Sequence, residues 1–160
     1  MFIVTAKLRR GKLLAGAVAA VALIGAVVVV SGALSARGVD AVSTSPASPK
    51  GIKTNEDRVS YLESYGWSTT GDAISVEELL IPEEFDETYE QYLKLQSDQG
   101  FDLTKYQGKR VKRYTYEITN YPTGETGVQV GILVYKNTVI AGEVLSSQLN
   151  GFIHGLSMPG

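Results

Sequence analysis

The feature that most constrains this chain is an uncharged apolar run. Leu13–Leu34 reads LLAGAVAAVALIGAVVVVSGAL, twenty-two residues without an Asp, Glu, Lys or Arg. At ~1.5 Å per residue a helix of that length spans about 33 Å, close to the roughly 30 Å hydrocarbon core of a bilayer. Val27–Val30 are poor helix formers in water, but in lipid every backbone polar group needs an internal partner, which leaves helix as the available state. Lys7, Arg9, Arg10 and Lys12 precede the run, and only Arg37 and Lys50 follow it up to position 50. Cations of this kind stay on the cytoplasmic side. The expectation is therefore a single-pass signal-anchor. It has a basic cytoplasmic tail at 1–12, a transmembrane helix at 13–34 seated in the lipid bilayer, and everything beyond outside the cell membrane.

A cleaved signal peptide is the rival reading, with Ser31-Gly32-Ala33 or Val39-Asp40-Ala41 as the cleavage site. Its apolar core is ordinarily ~7–15 residues, shorter than the run here, and both readings place the rest of the chain in the same compartment. Small residues four apart, such as Gly16/Ala20 and Ala22/Ala26, would suit helix pairing. A segment this rich in alanine produces that spacing by composition alone.

Residues 35–50, SARGVDAVSTSPASPK, carry no hydrophobic periodicity and too little apolar surface to offset the entropy of ordering. They read as a disordered stalk. Residues 51–160 hold 9 Lys+Arg and 16 Asp+Glu, a balance of −7, so an acidic extracytoplasmic domain follows a basic leader. That balance argues against nucleic acid, whose phosphates require a basic footprint. Cysteine is absent, which removes disulfides, thiol catalysis and a lipidated cysteine.

Within 51–160, Thr54 or Asn55 caps a helix running to about Tyr65, with Val59, Leu62, Tyr61 and Tyr65 on its apolar side and Gly66 as its C-terminal stop. A strand is expected at Ala73–Ile81. Pro82 then opens a second helix, with acids at its start, the stripe Phe85, Tyr89, Tyr92, Leu93, and Gly100 closing it. Lys109–Tyr121 alternates as a half-buried strand. Val128–Tyr135 is nearly continuous in apolar residues and reads as a central strand, and Thr138–Leu145 follows after the turn Lys136-Asn137. The tail 150–156 is too short to classify. The expected fold is α+β: an N-terminal transmembrane helix followed by a small two-layer domain, with two helices packed on one face of a three- or four-stranded antiparallel sheet.

Several stretches carry a resemblance: GIKTNEDRVSYLESYGW at 51–67, IPEEFDETY at 81–89, QGFDLTKYQGK at 99–109 with RYTY at 113–116, and GFIHGL at 151–156. In these the chain is similar to an uncharacterised domain-of-unknown-function family from spore-forming Gram-positive bacteria of the clostridial type, whose members often carry an N-terminal membrane segment. The resemblance implies one extracytoplasmic domain and supplies no catalytic residues. Ser146-Ser147-Gln148 departs from the cysteine-containing stretch expected there, which counts against a thiol-based role.

No catalytic spacing, cofactor motif or metal-ligand pattern stands out. The carboxylates Glu83, Glu87 and Glu90 splay from one helical face, so dipole compensation explains them better than a cation. The candidate ligand-binding residues are the basic run Lys109, Arg110, Lys112 and Arg113 with Tyr106, Tyr121 and the lone His154. The basic run suits an anionic wall polymer, but charged residues also guard strand edges. Tyrosines here serve equally as core, and a lone histidine among glycines as a packing residue. The layout points to a non-enzymatic binding or interaction domain, taking an anionic wall polymer or a membrane protein partner. The alternatives are a cell-wall-acting enzyme using carboxylates and a structural protein assembling through its membrane helix.

Overall fold

The computed structural model describes residues 45–160. The expected membrane helix at 13–34 and the tail before it lie outside the described residues, as does most of the stalk. Among the described residues no helix is long and apolar enough to cross a membrane.

The elements run α1 (Asn55–Glu63), β1 (Ser75–Leu80), α2 (Glu87–Asp98), a 3-10 turn (Leu103–Tyr106), β2 (Arg110–Glu117), β3 (Val128–Tyr135), β4 (Thr138–Ser146) and β5 (Ile153–His154). The strands form one antiparallel sheet in sequence order, β1-β2-β3-β4-β5. This corrects the expected fold in two respects. The sheet has five strands and dominates the domain, because Ser75–Leu80 joins it as an edge and two residues of the tail extend it on the other side. The two short helices also do not share one face. Along β3, Val128, Val130 and Ile132 pack in a cluster with Tyr61, Leu62 and Trp67, while Leu133 packs in a second cluster with Ile140, Ala141, Tyr92 and Leu93. Alternate residues of a strand point to opposite faces, so α1 covers one face and α2 the other. Cover on both sides explains why β3 lacks polar alternation.

α1 begins as expected. The Thr54 side chain accepts from the Asp57 backbone N–H, and the Asp57 carboxylate accepts in return from Thr54 N–H, a reciprocal capping box. The helix stops at Glu63, and Gly66 takes φ +94° so that Trp67 N–H can reach back to the Leu62 carbonyl. α2 starts later than expected. Pro82 lies in an irregular segment, and Asp86 is the cap, accepting from Tyr89 N–H at 2.8 Å. Ile81 explains the delay: its backbone pairs with Lys109 and Gly108, which holds the chain extended until it clears the sheet. The Lys136-Asn137 turn has both residues at positive φ, +46° and +61°, the turn geometry that matches strand twist in a two-residue hairpin.

The β4 edge is closed by side chains. Beyond the two-residue β5, the Gln96 amide pairs with Gly142 as a strand would, donating to its carbonyl at 3.0 Å and accepting from its N–H at 2.9 Å. Gln99 also donates to the Gly142 carbonyl and accepts from Leu156 N–H. Pro49 and Lys50, at the end of the expected stalk, pair with the start of β4. The outer edge of β1 has no strand beside it among the described residues.

Candidate functional site

Strand alternation divides the basic run. Lys112 sits opposite Glu78 and Val134, and Arg110 opposite Leu80, all on the face that α1 partly covers. Arg113 points to the other face. Lys109 precedes β2 and bonds through its backbone to Tyr106 and Ile81. On the α1 face, Arg110 and Lys112 meet Lys53 from the segment before α1 and Lys136 from the β3–β4 turn. Together with Ile52, Tyr114, Val134 and Tyr135 they line an open cavity of about 380 Å³. Among the described residues Glu78 is the one acid in its lining and is paired with Arg110 at 3.0 Å, so the excess charge is positive in an otherwise acidic domain. Arg58 of α1 packs on Tyr114, one of the lining residues. Its guanidinium lies 3.8 Å over the Tyr114 ring while its Nε donates to the Tyr116 hydroxyl. Tyr106 does not reach the cavity; it meets the ring of Tyr135 edge-on at 5.5 Å and braces it.

On the opposite face a half-buried Arg113 pairs with the buried Glu143, Nη2 to Oε1 at 2.5 Å, with Glu143 2% exposed. The other Glu143 oxygen accepts from the Tyr92 hydroxyl at 2.8 Å, which ties α2 to the sheet. Burial raises the Glu143 carboxyl above the ordinary range, against the lowering by Arg113 and the Tyr92 hydrogen bond. Burial and the neighbouring Glu143 charge push the Tyr92 hydroxyl up. Gly131 makes room for the pair: a Cβ there would stand 2.9 Å from Glu143 Oε1 and 3.1 Å from Arg113 Nε. Glu143 is absent from the residues that the sequence singles out. Its signal is a lone acid in the otherwise apolar run VIAGEVL at an inward-facing position, where burial requires a partner.

Tyr121 and His154 come together at the other end of the strands. The Tyr121 hydroxyl and His154 Nε2 are 3.2 Å apart, and His154 Nδ1 is 2.6 Å from the Gly155 carbonyl. A carbonyl can only accept, so Nδ1 is the donor in that contact. The Tyr121 ring stacks on Trp67 at 5.8 Å and on Phe152 at 5.1 Å. Trp67 in turn donates to the Leu156 carbonyl at 2.6 Å. The pair therefore fastens the tail to the core. A smaller cavity of about 270 Å³ lies on this side, lined by Glu117, Thr119, Tyr121 and Glu125 among others, and Glu125 accepts from Ser146.

Of the seven residues singled out in sequence, Arg110 and Lys112 converge on the cavity at the hairpin end. Arg113 is half of an internal ion pair, Tyr106 is a brace, Lys109 is held by its backbone, and Tyr121 with His154 forms the tail clasp. Lys53, Tyr114 and Lys136 complete the cavity and are not among the seven, because only strand register brings them beside Lys112.

Residues 61–145, just over half of the chain, match the family model of a domain of unknown function, DUF4830. No curated protein and no solved structure matches the chain.

Proposed function

Since the chain belongs to the DUF4830 family, a domain of unknown function, we propose that it is a non-enzymatic binding domain whose hairpin-end cavity holds an anionic group. One observation carries this reading. Lys53, Lys112 and Lys136 come from three separated segments and converge on one concave site, in a domain whose overall charge is negative. Cations spread at random over an acidic surface would pair with neighbouring acids. Here the single acid in the lining, among the described residues, is already taken by Arg110. Tyr114 and Tyr135 give the site apolar walls with polar tips, a surface suited to recognition.

Titration of the protein with labelled polyglutamate at low salt tests the proposal. Lys112→Glu with Lys136→Glu should weaken binding by about an order of magnitude or more, while Lys94→Glu on the exposed side of α2 should not. Binding undiminished by the double reversal would remove the cavity as the site. The extracytoplasmic address is part of the same proposal and rests on the uncharged run 13–34 with the cations before it. A tag after Gly160 reachable only in broken cells would overturn it.

The wall-acting enzyme keeps one specific site, the smaller cavity where Glu117 and Glu125 both line the wall. General acid and base carboxylates stand ~5–10 Å apart in glycoside hydrolysis. Release of reducing sugar from wall polysaccharide, abolished by Glu117→Gln or Glu125→Gln, would favour that reading over binding alone.

A further inference from the structure

The cavity occupies only part of a longer uncovered strip of the sheet. α1 shields the face over β2, β3 and β4, where Tyr116, Val130 and Ile132 are fully buried. Along β1 the residues on that same face are Val76, Glu78 and Leu80, and Ile74 immediately precedes the strand, its N–H donating to the Thr115 carbonyl. Ile74 and Leu80 are 50% and 58% exposed, two of the few large apolar side chains so placed. On the other face Leu79 packs into the cluster under α2, so the lack of cover is specific to one side.

This strip has an apolar row and a basic row side by side. Val76 and Leu80 lie along β1 with Ile74 just before its start, and Lys53, Lys112 and Lys136 flank the row toward the hairpin end. The charge of Glu78 between them is offset by Arg110. A bare polyanion would use only the cations. A second copy presenting the same strip would set lysines against lysines. The chain's own residues 1–36 carry four cations before the apolar run and no acid, so their charge is wrong for this seat.

We infer that this strip seats an acidic amphipathic helix of a partner protein, laid along β1 beside α1. The inference rests on the cavity being the binding face. Ser75–Leu80 spans ~20 Å of strand, which a helix of roughly 13 residues matches. Its apolar stripe covers the β1 row and its acids reach the lysines, the anchoring pattern of a helix in a groove.

The test uses the full chain in neutral detergent and three labelled probes. These are a helical peptide of about 14 residues with a leucine stripe and glutamates elsewhere, a scrambled peptide of the same composition, and polyglutamate. The patterned peptide should bind about tenfold or more tighter than the scrambled one, since two half-exposed apolar side chains become covered. Ile74→Ser with Leu80→Ser should abolish that preference while leaving polyglutamate binding unchanged. Equal binding of the two peptides, or a preference that survives the serine substitutions, would overturn the helix seat and leave the anion site standing. Failure of all three probes to bind would remove the anion site and the helix seat together.

Discussion

Replacing Gln96 tests whether a side-chain amide serves as the missing strand at the β4 edge. Gln96 is fully buried, and its amide makes both available backbone bonds of Gly142. In Gln96→Leu the Gly142 carbonyl keeps Gln99 as a donor at 2.9 Å, but the Gly142 N–H loses its partner inside the protein. An orphaned buried donor costs about 1–3 kcal/mol, and the lost bond to the carbonyl adds to it. The expected loss is ~2–3 kcal/mol, or roughly 8–12 °C in Tm for a domain of this size. Urea unfolding followed by fluorescence of Trp67, the single tryptophan and itself 1% exposed, reads it directly. Gln96→Glu sharpens the test. A protonated carboxyl can donate to the Gly142 carbonyl and accept from its N–H, whereas a carboxylate cannot donate. The folded state of this variant therefore holds the proton of the introduced carboxyl more tightly than the unfolded chain does. Stability is fully present below the ordinary glutamate pKa of ~4.3 and is lost as pH rises above it. Gln96→Leu within about 0.5 kcal/mol of the parent, or Gln96→Glu equally stable at acid and neutral pH, would refute the edge-closing role.

Other expectations concern the buried pair and the hairpin. Arg113→Met alone should cost about 3–5 kcal/mol by stranding Glu143, while Arg113→Met with Glu143→Leu should recover most of that loss in a double-mutant cycle by urea unfolding. Because burial raises the Glu143 pKa, its contribution to stability is present below the ordinary value of 4.5 and is lost as pH rises through the raised one. Glu143→Gln should flatten the stability profile just above 4.5, as seen by unfolding at several pH values. Gly131→Ala should destabilise by about 1–3 kcal/mol through the close approach to Glu143 and Arg113, and much less in the apolar double variant. Asn137→Gly should stabilise the hairpin by about 0.5–1 kcal/mol in thermal unfolding, since Asn137 sits at φ +61°.

Much of the local structure is legible in the sequence because short-range chemistry decides it. Thr54 or Asn55 marks the start of α1, Gly66 and Gly100 the helix ends, and Lys136-Asn137 the hairpin. The start of α2 is not legible, because Pro82 fits a first helical turn while the backbone pairing of Ile81 with β2 holds that segment extended. The expectation of both helices on one face fails because a period of two in β2 indicates that a face is buried without saying which helix buries it. The candidate site is half legible for the same reason. A run such as Lys109–Arg113 looks like one patch in sequence, yet a strand sends neighbours to opposite sides, so Lys112 reaches the cavity and Arg113 goes inside.

The sequence by itself determined where α1 caps, where turns fall and which strands are apolar, since each depends on residues within a few positions of one another. It also set the contrast in charge between a basic N-terminal stretch and an acidic remainder. Only the tertiary structure decided that Lys53, Lys112 and Lys136 share one cavity, that Glu143 lies against Arg113, and that a glutamine closes an edge. Those arrangements join residues far apart in the chain, and they follow from strand register, which is fixed by the burial of both sheet faces at once.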